Sequence, residues 1–163
     1  MIQVDIYNIK NVLDYLTDQY SMIEHTRGDI NTSPQYHYTK ISKSRLDTCH
    51  DDLQKLFHVV IRTIDCTILC GHRTQKEQND AYRTGHSQLT WPKSKHNTLP
   101  SHAVDVIPYP IDWKDRERMT LFAGFVLGIA SSMGISIRWG GDWNQNWNVQ
   151  DNSFDDLVHF ELV

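Results

Sequence analysis

One stripe of apolar side chains constrains the fold more than any other feature of the chain. The stripe has the 3.6-residue period of a helix and consists of Met119, Phe122, Ala123, Val126, Ile129, Ala130 and Met133. Gly134 follows it directly, and glycine favours the left-handed turn that ends many helices. A helix with so wide an apolar face needs a second layer to pack against. We therefore predict a buried central helix around which the domain is built.

Short β-prone segments lie on both sides of this helix. They occupy residues 66–70, 103–109, 135–139 and 157–162. A further helix is predicted over residues 48–64 with Thr48 at its cap, and another follows Thr74, which forms a capping box with Glu77 and ends at Gly85. This order of elements predicts an α+β fold, a small, mostly antiparallel sheet with helices packed on one face.

The length of 163 residues suits one principal domain. We assign that domain to residues 41–163 and leave residues 1–40 as an N-terminal extension of unknown role. Within the extension, apolar residues from Ile6 to Leu16 are spaced for one short amphipathic helix.

Charge and composition exclude several classes of protein. The net charge of −4, from 16 Lys and Arg against 20 Asp and Glu, provides no broad cationic field for nucleic acid. No basic leader precedes an apolar run, and no stretch approaches the ~20 apolar residues that cross a bilayer. The sequence therefore predicts a protein made in the cytoplasm, without a signal peptide or a membrane span. The three cysteines, Cys49, Cys66 and Cys70, are too few for a disulfide framework and are expected to be reduced structural thiols.

Three separate segments carry side chains that suit a metal site. His96 lies in the long polar loop 86–101, Asp105 lies on the next strand, and His159 lies on the last strand. Two histidines and one aspartate suit a catalytic zinc ion, which typically takes three protein ligands and leaves a position for water. Residue type and spacing alone do not distinguish these histidines from the others among the nine in the chain.

The last strand also suggests how a catalytic carboxylate is presented. Side chains alternate along a strand, so His159 and Glu161 face a cleft if Val158 and Phe160 face the core. Hydrolysis needs a carboxylate that is not a ligand, to take a proton from water and pass it to the leaving amine. Asp156, three residues before His159, is the candidate.

Three strings of residues occur in order along the chain: CGHRTQKEQ, SKHNTLPSHAVDV and DLVHFEL. They resemble the signatures of the peptidoglycan D,D-carboxypeptidase and L-alanyl-D-glutamate endopeptidase superfamily, particularly those of phage endolysins. The family pattern is a Gly-x-Arg turn, a Ser-x-His and Ala-x-Asp pair, and a closing acid three residues before a histidine. The resemblance runs from about residue 42 to the C-terminus.

The resemblance implies a role for each matching residue. The zinc ligands would be His96, Asp105 and His159. Asp156 would be the catalytic base, and Arg73 would help to hold the substrate and its polarised oxygen. Ser94 belongs to the matching pair and Trp143 lies in a tryptophan-rich loop, so both are candidates to contact the substrate.

The chain departs from the family pattern in two places. His96 and Asp105 lie nine positions apart, where the family has seven, and no glycine lies between them. His102 therefore competes with His96 as the ligand, but we favour His96 because Ser94 precedes it by two residues, as the pattern requires. The closing acid is doubled, and only the second of the pair, Asp156, has the family offset.

The resemblance implies zinc-dependent hydrolysis of peptidoglycan stem peptides, most directly at the L-alanyl-D-glutamate bond, by a phage-type endolysin. A D-alanyl-D-alanine carboxypeptidase is the alternative. Two further hypotheses belong to other classes: a catalytically silent wall-binding or virion module that kept the fold, and a glycosidase that uses Asp105 and Asp156 as its two carboxylates. The expected partner besides peptidoglycan is a holin-type pore that releases the protein to the wall, unless the protein is part of the virion.

Overall fold

Four helices and four strands make up residues 36–163, the part of the chain that the computed structural model describes. The helices are α1 (Lys40–Leu46), α2 (Asp51–Val60), α3 (Gln75–Arg83) and α4 (Arg116–Ser132). The strands are β1 (Cys66–Cys70), β2 (Ala103–Pro108), β3 (Ile137–Gly140) and β4 (Asp156–Leu162). A single 3₁₀ turn, Lys95–Asn97, lies in the loop between α3 and β2. The predicted helix near the N-terminus lies outside the described residues.

The four strands form one sheet in the order β1-β2-β4-β3, and every neighbouring pair is antiparallel. Helix α4 packs against β2, β3, β4 and α2, while α1 packs against β1. This architecture confirms the predicted α+β fold. In the register of the sheet, Asp105 lies opposite His159 on one side and Cys70 on the other.

The central helix forms where the apolar stripe predicted it. Most of the stripe is buried, including Phe122 and Val126, which pack into the same core as Phe57 and Phe160. Burial of each such side chain stabilises the fold by roughly 1.5–3 kcal/mol. The end of the stripe is less buried than predicted, because the side chain of Met133 is 36% exposed.

The signals at the ends of α3 are confirmed. The hydroxyl of Thr74 accepts a hydrogen bond from the backbone N–H of Glu77, and the Glu77 carboxylate accepts one from the backbone N–H of Thr74. Gly85, just beyond the helix, has a φ of +79°, which residues with a Cβ rarely adopt.

The predicted cap of α2 is wrong. The helix begins at Asp51, and His50 caps it by accepting a hydrogen bond from the backbone N–H of Asp52 at 3.2 Å. The Thr48 hydroxyl instead donates to the carbonyl of Arg45 at 2.6 Å and accepts from the backbone N–H of His72. A separate helix, α1, ends at Leu46, so the Thr48 hydroxyl stabilises the turn between α1 and α2.

The strand β4 does not keep a simple alternation. Trp139 of β3 lies opposite Phe160, but the next residue, Gly140, lies opposite Asp156, so β4 carries extra residues there. Such a bulge changes which side chains share a face of the sheet. The condition that Val158 faces the core is therefore not met, because Val158 lines a cavity and Leu157 packs against the core in its place.

Within residues 36–163, no helix is both long enough and apolar enough to cross a lipid bilayer.

Candidate active site

A cavity of about 750 Å³ lies where β2 and β4 meet two long loops. Its volume is within the range of sites that enclose small ligands. Both loops that the sequence placed beside the site line it, one through Leu89 and Lys93 and the other through Trp143 and Phe154. Ten of its lining residues are charged or histidine side chains: Arg73, His86, Lys93, Lys95, His96, Asp105, Arg138, Asp156, His159 and Glu161.

Three side-chain atoms converge at the floor of this cavity. The His96 Nε2 atom lies 3.1 Å from Asp105 Oδ1 and 3.2 Å from His159 Nδ1, and His159 Nδ1 lies 3.1 Å from the same Asp105 oxygen. All three residues are buried. The fold thus gathers the three predicted metal ligands, although they are separated by up to 63 positions in the chain.

The hydrogen bonds on the outer side of each imidazole fix which nitrogens face inward. The Nδ1 atom of His96 lies 2.6 Å from the carbonyl oxygen of Gly71, which can only accept a hydrogen bond. The Nε2 atom of His159 lies 3.1 Å from a Glu161 carboxylate oxygen. Each outer nitrogen therefore carries the proton, so each inner nitrogen of a neutral ring presents a lone pair to Asp105.

Electrostatics favours a positive charge among these three atoms. Burial alone would lower the pKa of His96, but the Asp105 carboxylate outweighs it and raises that pKa to about 10. Burial opposes ionisation of Asp105 as well, yet the two histidines hold its pKa well below the ordinary value. A cluster that so strongly attracts a proton has the chemistry of a cation site.

Gly71 allows His96 to reach its position. A Cβ at residue 71 would collide with the Arg45 carbonyl oxygen and the Thr48 hydroxyl. Only glycine fits this close approach, and its carbonyl then accepts the hydrogen bond from His96. This contact gives a structural reason for the glycine of the Gly-x-Arg turn.

Arg73 lies two residues before α3 begins. Its guanidinium donates to Asp105 Oδ2 at 3.1 Å and to Gln78 Oε1 at 3.2 Å. Gln78 is fully buried and also donates to Ser87 and Leu89 of the loop that lines the cavity. Sequence reasoning missed Gln78 because it placed this residue only on the helix, although the residue belongs to the first matching string.

His102, the competing ligand, lies away from the cluster. Its ring contacts the ring of His50, with centroids 5.3 Å apart, and it does not line the cavity. The observed geometry therefore brings His96, and not His102, to Asp105 and His159.

Cys70 lies closer to the site than the sequence indicated. Its thiol and one ligand atom each of His96 and Asp105 lie within 4.8 Å of one another. It is half-buried, whereas Cys49 and Cys66 are buried, and burial raises the pKa of both buried thiols to about 12. The pairing of β1 with β2 places Cys70 beside Asp105. A prediction of this strand pairing from the sequence would therefore have located Cys70 near the site.

Asp156 differs from the other carboxylates of the cavity. Asp105 is paired with Arg73, and Glu161 is paired with Arg138. Among the described residues, the carboxylate of Asp156 has no hydrogen-bond or ion-pair partner, and burial together with the charge of Asp105 raises its pKa. Asp155 is exposed and pairs with Arg116. Only the second acid of the doubled pair therefore enters the cavity.

Ser94 and Trp143, the two candidate substrate contacts, both line the cavity. The Ser94 hydroxyl accepts a hydrogen bond from the backbone N–H of His96 at 3.3 Å and so caps the 3₁₀ turn that carries this residue. The centroids of the Trp143 and His159 rings lie 5.5 Å apart, and the Arg138 guanidinium lies over the Trp143 ring, 5.3 Å from its centroid. The Ser94 hydroxyl is thus used in a backbone hydrogen bond, while the Trp143 ring packs beside the His159 ring.

The fold and the cluster in its cavity define a class, that of small α+β proteins with a candidate metal site. A family model described as phage L-alanyl-D-glutamate peptidase matches residues 35–163. The L-alanyl-D-glutamate peptidase of Escherichia phage T5 is 32% identical over 137 residues, which cover 78% of this chain and 98% of that protein. The crystal structure of the Serratia marcescens L-Ala D-Glu endopeptidase ChiX has a TM-score of 0.63 and 28% identity, over 83% of this chain and 94% of that one.

The chain belongs to the phage L-alanyl-D-glutamate peptidase family.

Proposed function

We propose that this protein is a zinc-dependent endopeptidase that hydrolyses the L-alanyl-D-glutamate bond of peptidoglycan stem peptides. The observation that carries the proposal is the convergence of His96, Asp105 and His159 at mutual distances of 3.1–3.2 Å in the cavity of a family member. The names of the phage T5 and Serratia relatives support the L-alanyl-D-glutamate bond as the one that is cut. The cluster supports the requirement for a metal ion.

The donor set fits zinc. Ligand atoms around a tetrahedral zinc ion lie roughly 3.3 Å apart when its bonds to nitrogen are ~2.0 Å, and the three inner atoms have nearly this spacing. Two neutral imidazoles and one carboxylate also form a typical catalytic zinc set. When bound, zinc supplies the Lewis acidity that polarises a carbonyl and makes water a nucleophile near neutral pH. Cys70, whose thiol lies within 4.8 Å of one ligand atom each of His96 and Asp105, is the other candidate for the third ligand.

The remaining residues of the cavity have roles that follow from their contacts. Asp156 accepts the proton of the attacking water and delivers it to the leaving amine, because it is the carboxylate without a partner in the described chain. Arg73 fixes the second oxygen of Asp105 and leaves its first oxygen for the metal. The exposed side of Arg73 lines the cavity, where it can contact a substrate carbonyl.

Glu161 and Arg138 orient His159. Burial opposes ionisation of Glu161, but hydrogen bonds from His159 and Arg138 lower its pKa to about 2, so it remains a charged acceptor. We expect Glu161→Gln to weaken zinc binding by about ten- to a hundredfold, because an amide can hold His159 with the wrong nitrogen protonated. Competition with a chromogenic chelator measures this affinity. Glu117→Gln, on the exposed face of α4, is the matched control, and equal affinities for the two variants would contradict the role of Glu161.

The bond that is cut separates the proposed activity from its alternatives. We expect digestion of intact murein to release new N-terminal D-glutamyl amines, with little free D-alanine, because the phage T5 and Serratia relatives are named for the L-alanyl-D-glutamate bond. Mass spectrometry of the products measures this. Free D-alanine as the main product would indicate a carboxypeptidase, and new reducing sugar ends without new amines would indicate a glycosidase.

The place of action follows from the proposed substrate. Peptidoglycan lies outside the cytoplasm, and a release partner such as a holin-type pore, or incorporation into the virion, would bring the protein to it. Loss of cell lysis without this partner is the measurement that distinguishes the two routes.

A further inference from the structure

The cations of the cavity differ in what they already contact. Four lysine or arginine side chains line it. Arg73 donates to Asp105 and Arg138 pairs with Glu161, so both are neutralised by carboxylates of the site itself. The Lys95 ammonium donates to the carbonyl oxygen of Leu162 at 3.2 Å. Within residues 36–163, Lys93 is the one cation of the cavity whose side chain has no hydrogen bond or ion pair.

The backbone holds Lys93 close to the candidate metal ligands. Its N–H donates to the Thr90 carbonyl at 2.9 Å, and the next residue, Ser94, caps the turn that carries His96. The lysine stem is flexible, but its attachment point is fixed three residues before His96. Lys93 therefore presents a cation to the same cavity that holds the cluster.

The proposed substrate has an anion next to the bond that is cut. In a stem peptide the D-glutamyl residue continues the chain through its side-chain carboxyl group, so its α-carboxylate is free and lies directly after the scissile bond. In some cell walls this carboxylate is amidated, which removes its charge. A lysine ammonium distinguishes the two forms, because it attracts the carboxylate and gains little from the amide.

We propose that Lys93 binds the free α-carboxylate of the D-glutamyl residue and makes the enzyme prefer unamidated over amidated peptidoglycan. This inference rests on the proposed function, since it names a substrate group for the same site. Arg73 and Arg138 are less suited to this role, because each would have to leave a carboxylate of the site in order to bind the substrate.

The test compares two synthetic muropeptides that differ only in a D-glutamate or a D-isoglutamine after L-alanine. We expect the wild-type protein to have a kcat/KM about five- to tenfold higher on the glutamate form, as an exposed charge pair allows. Lys93→Gln should lower kcat/KM on the glutamate form to that of the amide form, through KM, and leave the amide form unchanged. Lys93→Arg should keep the preference. Lys55→Gln, which removes the same charge from α2 outside the cavity, should behave as wild type.

The outcomes separate this inference from the proposed function. Equal cleavage of both muropeptides by the wild type, or an unchanged preference in Lys93→Gln, overturns the role of Lys93 and leaves the endopeptidase proposal intact. A Lys93→Gln variant that loses the same factor on both substrates also overturns it, because the lysine would then act without regard to the carboxylate. Cleavage of neither muropeptide by the zinc-loaded wild type overturns both proposals together.

Discussion

Replacement of His96, Asp105 or His159 by alanine is expected to remove bound zinc and to abolish hydrolysis, whereas His102→Ala keeps both. Each of the three residues supplies one atom of a triangle whose sides are 3.1–3.2 Å, and two remaining atoms cannot hold the metal in place. The outer hydrogen bonds of His96 and His159 already orient both rings for metal binding. Loss of one ligand therefore leaves an oriented but incomplete metal site. We expect metal affinity and kcat/KM to fall by at least about a hundredfold.

Metal analysis of the purified proteins, with circular dichroism to verify folding, measures the first effect. His102→Ala is the matched control, because His102 is a histidine of the same segment whose ring contacts His50 and not the cluster. Cys70→Ser tests the other candidate ligand. If Cys70→Ser loses the metal and His159→Ala keeps it, the third ligand is the thiol. If His102→Ala loses the metal and His96→Ala keeps it, the assignment of the first ligand is wrong.

Removal of the metal from the unaltered protein tests the same point without mutation. A chelator should abolish hydrolysis, and added zinc should restore it. A glycosidase that used Asp105 and Asp156 would not respond to either treatment.

Asp156→Asn is expected to retain zinc and to lose at least about a hundredfold in kcat, since positioned proton transfer contributes this much to catalysis. The asparagine has nearly the same shape but cannot accept the proton of water. No partner among the described residues would be left unpaired by the change, so folding should be unaffected. Steady-state kinetics and metal content, measured on the same preparation, separate turnover from metal binding.

Asp155→Asn is the matched control for this experiment. Asp155 is the neighbouring acid, but it is exposed and pairs with Arg116 at the start of α4. Loss of an exposed ion pair costs about 1 kcal/mol of stability or less, and it should leave kcat unchanged. A large loss of kcat in Asp155→Asn with none in Asp156→Asn would show that the wrong acid has been assigned. Loss of zinc from Asp156→Asn would make Asp156 a ligand rather than a base.

Local features of the fold could be predicted from the sequence because their causes are local. The period of the stripe in α4 depends only on helix geometry, and the capping box of α3 involves residues three positions apart. The cap of α2 could not be predicted, because Thr48 has a second partner, the backbone N–H of His72, which lies 24 positions away.

The candidate ligands were found by resemblance, but their arrangement depends on the sheet. On a regular strand, residues three apart point to opposite faces, so Asp156 and His159 would not share a cavity. The bulge in β4 places both of them there, and it arises from pairing with β3, which no local pattern in β4 encodes.

The sequence by itself determined the fold class, the four strand segments, the positions of α2, α3 and α4, and the residue types that the chemistry requires, since each depends on short-range periodicity or on motif order. The tertiary structure alone decided which nitrogen of each histidine faces inward, that Cys70 lies beside Asp105, that Glu161 and Arg138 support His159, and that Lys93 is the unpaired cation of the described cavity. These properties depend on which atoms meet across the sheet, and such contacts join residues that are distant in the chain.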